Sequence, residues 1–162
     1  MIKLVRVDDR LIHGQVALTW TSFLSADTIV VANDKYAKDS FLSMTLTLGK
    51  PPGVDLQVLS LVDAATFCNN PENNSRKIFI VIESTADALE LARSIPEIDK
   101  IILGGIRSSP GKKRIERQVF LDQQDLDNCD EMVKLNKTVN VQVIPSEKEY
   151  SLADAKKIFQ KR

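Results

Sequence analysis

The stretch Ile2-Lys3-Leu4-Val5-Arg6-Val7-Asp8-Asp9-Arg10-Leu11-Ile12-His13-Gly14-Gln15-Val16 decides how the rest of the chain is read. Its opening segment, Ile2–Val7, is apolar and β-branched and predicts a strand. The period then changes: Ile12, Val16, Trp20 and Leu24 recur at helical spacing and predict a helix with one apolar stripe. A strand that runs through a short polar turn into a helix is how a βαβ unit begins.

The same alternation continues outward from this stretch. Further strands are predicted at Thr28–Ala32, Leu56–Leu59, Ile78–Ile82, Lys100–Leu103, Val119–Leu121 and Val139–Ile144. Several are apolar without alternation, as strands buried on both faces are. Helical stripes lie between them: Ala37, Phe41, Met44 and Leu48, ended by Gly49 and Pro51; Leu61, Ala65 and Cys68; Leu89, Ala92 and Ile95, stopped by Pro96; and Leu126, Cys129 and Val133. A last helix starts at Ser151, with Asp154 completing a capping box. The polar stretches Asn69–Arg76 and Arg107–Gln118 read as surface loops, the second one basic. Together these elements predict one α/β domain on a mainly parallel sheet.

Composition narrows the function classes. The 162 residues suffice for one domain with a real core, and the hydrophobic fraction of 43% is that of a globular protein. Lys plus Arg number 22 and Asp plus Glu also 22, which lacks the basic excess of a nucleic-acid binder. The chain shows no bilayer-length apolar run and no signal-peptide pattern at its start, so a cytoplasmic protein is expected. Two cysteines, Cys68 and Cys129, and one histidine make neither a disulfide framework nor a full zinc ligand set, and no metal or cofactor is expected.

In open α/β sheets, ligands bind at the carboxyl ends of the strands. The first such place here gathers Asp8, Asp9, Arg10 and the single histidine, His13, within six residues, where a helix begins and its free N–H groups favour an anion. A neutral imidazole is a competent nucleophile toward phosphorus. The bland reading of His13 is a surface or satisfied core residue. Arg10 is either an ordinary surface cation or a planar fork for a phosphoryl group. Asp8 and Asp9 either cap the first helix, the expected role for one of them, or Asp8 orients Arg10 or fixes the His13 tautomer. Arg6 is expected to point outward from its strand. Trp20 is read as core.

The second place is Gly104-Gly105-Ile106-Arg107-Ser108-Ser109. The glycines permit a tight turn or let backbone amides approach a phosphate or a partner. Neither a dinucleotide fingerprint nor a phosphate-binding P-loop is present. Arg107, Lys112, Lys113, Arg114 and Arg117 form either a solvated loop or an electropositive rim for an acidic or phosphorylated partner. Asn33 and Asp34, after the second strand, read as helix caps or as pocket lining.

The run from Val5 through Asp8-Asp9-Arg10-Leu11-Ile12-His13-Gly14-Gln15-Val16 resembles the active-site signature of the IIB proteins of the mannose/fructose/sorbose family of sugar phosphotransferase systems. Ala26–Asp34, Leu103–Arg107 and Val119–Leu121 are similar in the same order, so the resemblance spans residues 1–162 as one IIB domain. It departs at Gly105-Ile106-Arg107-Ser108-Ser109, where relatives often carry methionine and a different loop. The resemblance implies a three-layer α/β/α open sandwich. It implies that His13 takes a phosphoryl group on Nδ1 from a phosphohistidine of a IIA partner and passes it to a sugar entering through membrane IIC and IID subunits. Arg10 would contact the phosphoryl group and Asp8 support the site. Arg6, Gly14, Gly104, Gly105 and Arg107 are further candidates for phosphate or partner contact. The protein would be a phosphotransferase at the cytoplasmic side of the sugar channel, without a cofactor, and a homodimer is open.

A receiver-type signalling module would need an aspartate ending the third strand and a lysine ending the fifth. Here those strands end Val58-Leu59-Ser60 and Leu103-Gly104-Gly105. A hydrolase with His13 as general base would need a nucleophile elbow or a metal set, and it would not retain phosphate. Other IIB families use a phosphocysteine after the first strand, but Cys68 and Cys129 both lie on predicted helical core stripes.

Overall fold

The computed structural model describes residues 1–162. Its strands are β1 (Ile2–Asp8), β2 (Thr28–Ala32), β3 (Asp55–Leu59), β4 (Ile78–Ile82), β5 (Lys100–Gly105), β6 (Lys113–Glu116), β7 (Val119–Leu121), β8 (Thr138–Val141) and β9 (Tyr150–Ser151). Its helices are α1 (Gly14–Leu24), α2 (Asp34–Lys38), α3 (Ser40–Leu48), α4 (Leu61–Asn69), α5 (Thr85–Ser94), α6 (Gln123–Lys134) and α7 (Leu152–Lys161). The main sheet runs β3-β2-β4-β1-β5-β8-β9, and every pairing in it is parallel except β8 with β9. β1 sits centrally, between β4 and β5.

Period-two alternation divides the strand residues between two cores. Val5, Val7, Val30, Ile78, Ile80, Ile101 and Leu103 face residues of α4, α5, α6 and α7. Leu4, Ile29, Val31, Phe79, Val81 and Ile102 face Leu11, Ile12, Ala17, Trp20 and Leu46 of the α1 and α3 side. Both faces of the sheet are covered, which is the expected three-layer α/β/α sandwich and explains why the central strands lack polar alternation. No helix is long and apolar enough to cross a membrane.

Several expected elements need correction. Val119–Leu121 is a strand, but it pairs antiparallel with β6 in a separate hairpin, so the expected loop Arg107–Gln118 contains β6. The sheet strand at Val139–Ile144 ends at Val141. The stripe Ala37, Phe41, Met44 and Leu48 belongs to two helices, because Asp39 is extended and its carboxylate accepts the Phe41 and Leu42 N–H groups. That break turns the stripe outward: Phe41 is 71% exposed, Met44 and Leu48 are also exposed, and Leu46 is the buried residue of α3. In α6, Met132 is buried where Val133 is exposed. At Ser151 only half of the capping box forms, Ser151 Oγ accepting the Asp154 N–H at 3.1 Å. The reciprocal box forms at α6, between Asp122 and Asp125.

The two kinds of aromatic residue should separate in a urea unfolding titration. Phe79→Ala removes a ring that is fully buried and should cost about 3–5 kcal/mol. Phe41→Ser should leave stability within about 0.5 kcal/mol of wild type.

Candidate functional site

The site is built where β1 ends beside β5. Val7 pairs with Leu103, but Asp8 pairs with Gly105, so a one-residue slip in register carries Asp8 past the regular ladder. Leu4, Arg6 and Asp8 share the sheet face that α1 covers. Arg6 is therefore not an outward strand residue; it is 2% exposed. Its guanidinium lies 5.8 Å from the centre of the Trp20 ring. Nη1 donates to Asp8 Oδ2, and Nη2 donates to the Val143 carbonyl at 3.1 Å. The Trp20 indole N–H donates to the same carbonyl at 3.0 Å, so Trp20 is core, as expected, and also braces this corner.

The glycines ending β5 make room for this pair. A Cβ on Gly104 would overlap the Arg6 guanidinium, and one on Gly105 would come within 2.9 Å of the Asp8 carboxyl carbon. From sequence these glycines are expected to permit a tight turn or give access to backbone amides. The structure shows instead that both side-chain-free positions face buried charges of β1.

Asp8 is the hub. Its carboxylate is 0% exposed. Oδ2 accepts from Arg6 Nη1 and from His13 Nε2, the latter at 2.8 Å, and Oδ1 accepts the Arg10 N–H at 2.9 Å. Burial pushes this carboxyl upward, but the Arg6 charge and the hydrogen bonds from Arg10, Arg6 and His13 outweigh burial and hold it below the usual range. An ionised carboxylate has no proton to give, so the proton in the His13 contact belongs to Nε2. In the neutral ring Nδ1 then holds the lone pair, and it has no hydrogen-bond partner within the chain. The imidazole is 23% exposed.

Neither aspartate caps α1. The N-cap is His13 itself, with no side-chain hydrogen bond, so the first-turn N–H groups of an 11-residue helix are free to meet an anion beside the imidazole. Asp9 instead accepts from the Arg107 N–H at 2.9 Å and from its Nε at 3.2 Å. The turn closes with the Leu11 N–H on the Asp8 carbonyl at 2.9 Å. Leu11, at φ 58°, and Gly14, at φ 47°, both take left-handed conformations, and at Gly14 the absent Cβ removes the strain.

Arg10 is part-exposed and donates from Nη2 to Gln118 Oε1 at 2.7 Å. The sequence reading did not single out Gln118. It arrives through a long-range pairing, in which the Ile106 N–H bonds to the Gln118 carbonyl at 2.9 Å and the Phe120 N–H to the Ile106 carbonyl at 3.0 Å. Arg10, Arg107, Arg117 and Gln118 then line a cleft of about 200 Å³. The basic rim is narrower than the sequence suggested. Lys112 is bound to Asp125 at 2.6 Å, Lys113 sits 4.3 Å from the centre of the Phe159 ring, and Arg117 pairs with Glu147.

The remaining candidates have structural roles. Asn33 Oδ1 caps α2 on the Tyr36 N–H at 3.0 Å, and Asp34 Oδ1 accepts the Leu61 N–H at 2.9 Å. Cys68 and Cys129 are buried in helices, and burial pushes their thiols up to about 11 and about 12. They lie far from thiolate chemistry at neutral pH.

The depressed Asp8 carboxyl predicts a pH effect. Its stabilisation is present above the unfolded-state value of about 3.9 and is lost as pH falls through the lower folded value. Asp8→Asn leaves the buried Arg6 charge without its partner and should cost about 3–5 kcal/mol at pH 7. The penalty should shrink in urea titrations taken progressively below pH 4.

Comparison with known proteins gives this geometry its context. Residues 2–162 match the family described as PTS system sorbose subfamily IIB component. A probable phosphotransferase enzyme IIB component of Streptococcus pyogenes is 35% identical over 152 residues, covering 90% of this chain and 93% of that protein. The sorbose-specific EIIB component of Klebsiella pneumoniae is 33% identical over 153 residues, covering 94% and 93%. The crystal structure of the IIBSor domain of the Klebsiella pneumoniae sorbose permease superposes with a TM-score of 0.90 at 32% identity, covering 97% of this chain and 96% of that one. With the match running through the Asp8–His13 turn and over nearly every residue, the chain belongs to the sorbose subfamily of phosphotransferase-system IIB components.

Proposed function

We propose that His13 is the phosphocarrier of this IIB component, accepting a phosphoryl group on Nδ1 from a phosphohistidine of a IIA protein and passing it to a sugar that enters through the membrane IIC and IID subunits. The observation that supports the reading is the His13 Nε2–Asp8 contact at 2.8 Å, which favours the ring proton on Nε2 and so Nδ1 as the nucleophile. In the transfer, the Nδ1 lone pair forms the new N–P bond while the donor's N–P bond breaks, its electron pair returning to the donor nitrogen. The positive charge that appears on the His13 ring is shared with the Nε2–H and faces the Asp8 carboxylate.

Such a transfer needs placement and charge neutralisation more than covalent help. The Arg10 fork, held by Gln118, and the free N–H groups at the start of α1 are the groups that would meet the phosphoryl oxygens. Arg107, fixed by Asp9 and largely exposed, borders the same cleft and suits an anionic partner surface. Arg6 is buried behind Asp8 and takes no direct part in phosphate contact. The ring is part-exposed and no cavity encloses it, which suits a carrier that must meet a donor and an acceptor in turn.

Incubation with phosphoenolpyruvate, the general phosphotransferase proteins and a cognate charged IIA, followed by intact-mass analysis, tests the reading. One acid-labile phosphoryl group should appear on wild type and none on His13→Ala. Arg10→Ala should be charged about 100–1000-fold more slowly. A wild-type protein left unmodified by two different charged IIA proteins of the family would refute the carrier role. Phosphate lost at once to water would favour the hydrolase alternative.

A further inference from the structure

The group behind the reacting imidazole is itself held by a buried cation. We propose that Arg6 is a positioning residue for phosphoryl transfer, fixing through Asp8 which nitrogen of His13 is presented to phosphorus. The inference deepens the reading of His13 as phosphocarrier and rests on it.

Arg6 acts at second hand. At 2% exposure it is out of reach of any phosphoryl group, and its two hydrogen-bonded nitrogens point to Asp8 and to the Val143 carbonyl. It is also clamped. Val143 holds Nη2 on one side, the Trp20 ring lies against the guanidinium, and the bare backbone of Gly104 closes the remaining side. A guanidinium so confined sets the orientation of the carboxylate that it grips. Asp8 Oδ2 receives both Arg6 Nη1 and His13 Nε2, so the direction of one contact determines the other.

Stability alone does not account for this arrangement. Buried ion pairs are weak contributors to stability compared with apolar residues of the same volume. This one leaves the buried Arg6 Nε without any partner, and it requires side-chain-free positions at both Gly104 and Gly105. What the pair does supply is a charge state. Arg6 supplies the charge that, with the hydrogen bonds from Arg10 and His13, keeps the fully buried Asp8 an acceptor. Without that cation, burial is opposed only by the Arg10 and His13 hydrogen bonds, and the carboxyl shifts toward taking up a proton. Its O–H would then donate to Nε2, the ring proton would move to Nδ1, and the nitrogen that must attack phosphorus would have no lone pair to give.

His13 is the single histidine, so ring-labelled protein gives one imidazole signal set in long-range ¹H–¹⁵N correlation spectra. Wild type should show the Nε2–H tautomer. Arg6→Met should move the population toward Nδ1–H and slow charging by IIA by about 10–100-fold. Arg6→Lys should restore part of both. Amide spectra establish that each variant folds. Should Arg6→Met not fold, Gly104→Ala makes the same test, because its methyl displaces the guanidinium from Asp8. A folded Arg6→Met or Gly104→Ala protein that keeps the Nε2–H tautomer overturns the role of Arg6, whether its rate is unchanged or reduced, and leaves the carrier role of His13 standing. Failure of the wild-type protein to accept phosphate would instead remove the carrier reading itself, whatever the tautomer.

Discussion

A carboxylate with no exposure to water, Asp8, stands at the end of the central strand, and the structure around it is arranged to keep it ionised. Removing such a charge from water is costly unless donors replace the lost hydration. Three do so: the Arg6 guanidinium, the His13 ring and the Arg10 N–H. Each has its own requirement. Arg6 needs the space left by Gly104 and the anchor of Val143. The His13 ring returns to Asp8 through a turn in which Leu11 is left-handed. The slip in the β1–β5 register sets Asp8 opposite Gly105, where a side chain would collide with it.

From this hub the site divides into a rigid back and an open front. The back is strand, indole and guanidinium, all buried in a sheet covered on both faces. Functional groups fixed by packed elements hold their geometry better than groups carried on loops alone. The front is the part-exposed imidazole, the uncapped start of α1, and Arg10 on its Gln118 tether. A carrier that must give up its phosphoryl group as readily as it receives it is served by that division. The nucleophile is oriented from behind, and the oxygens of the transferred group are met from the solvent side by groups that can move.

The central sheet was legible because β1, β2, β4 and β5 are apolar runs between helical stripes, and burial on both faces leaves that signature. His13, Arg10 and Asp8 were legible as a cluster because they lie within one turn. Arg6 was placed on the wrong side, since a charged residue in a strand is ordinarily at the surface. The signal against that was its period-two relation to Leu4 and Asp8, which sets all three on one face. The hairpin was hidden because β6 reads Lys113-Arg114-Ile115-Glu116, with only Ile115 buried. Gln118 could not be found at all, because its place beside Arg10 depends on the long-range pairing of Ile106 with Val119. The break between α2 and α3 arises from competition: the Asp39 carboxylate binds two backbone N–H groups and starts a new helix where the apolar spacing suggested continuity.

Transfer through this site depends on Asp8 reserving Nε2 and freeing Nδ1. The most direct measurement is the ³¹P–¹⁵N connectivity of ring-labelled, phosphorylated protein by NMR, with the single histidine removing any ambiguity of assignment. The expected spectrum shows phosphorus bonded to Nδ1, with the Nε2 proton still present. Phosphorus bonded to Nε2 would contradict it, since that nitrogen could attack only after leaving the carboxylate around which the site is built.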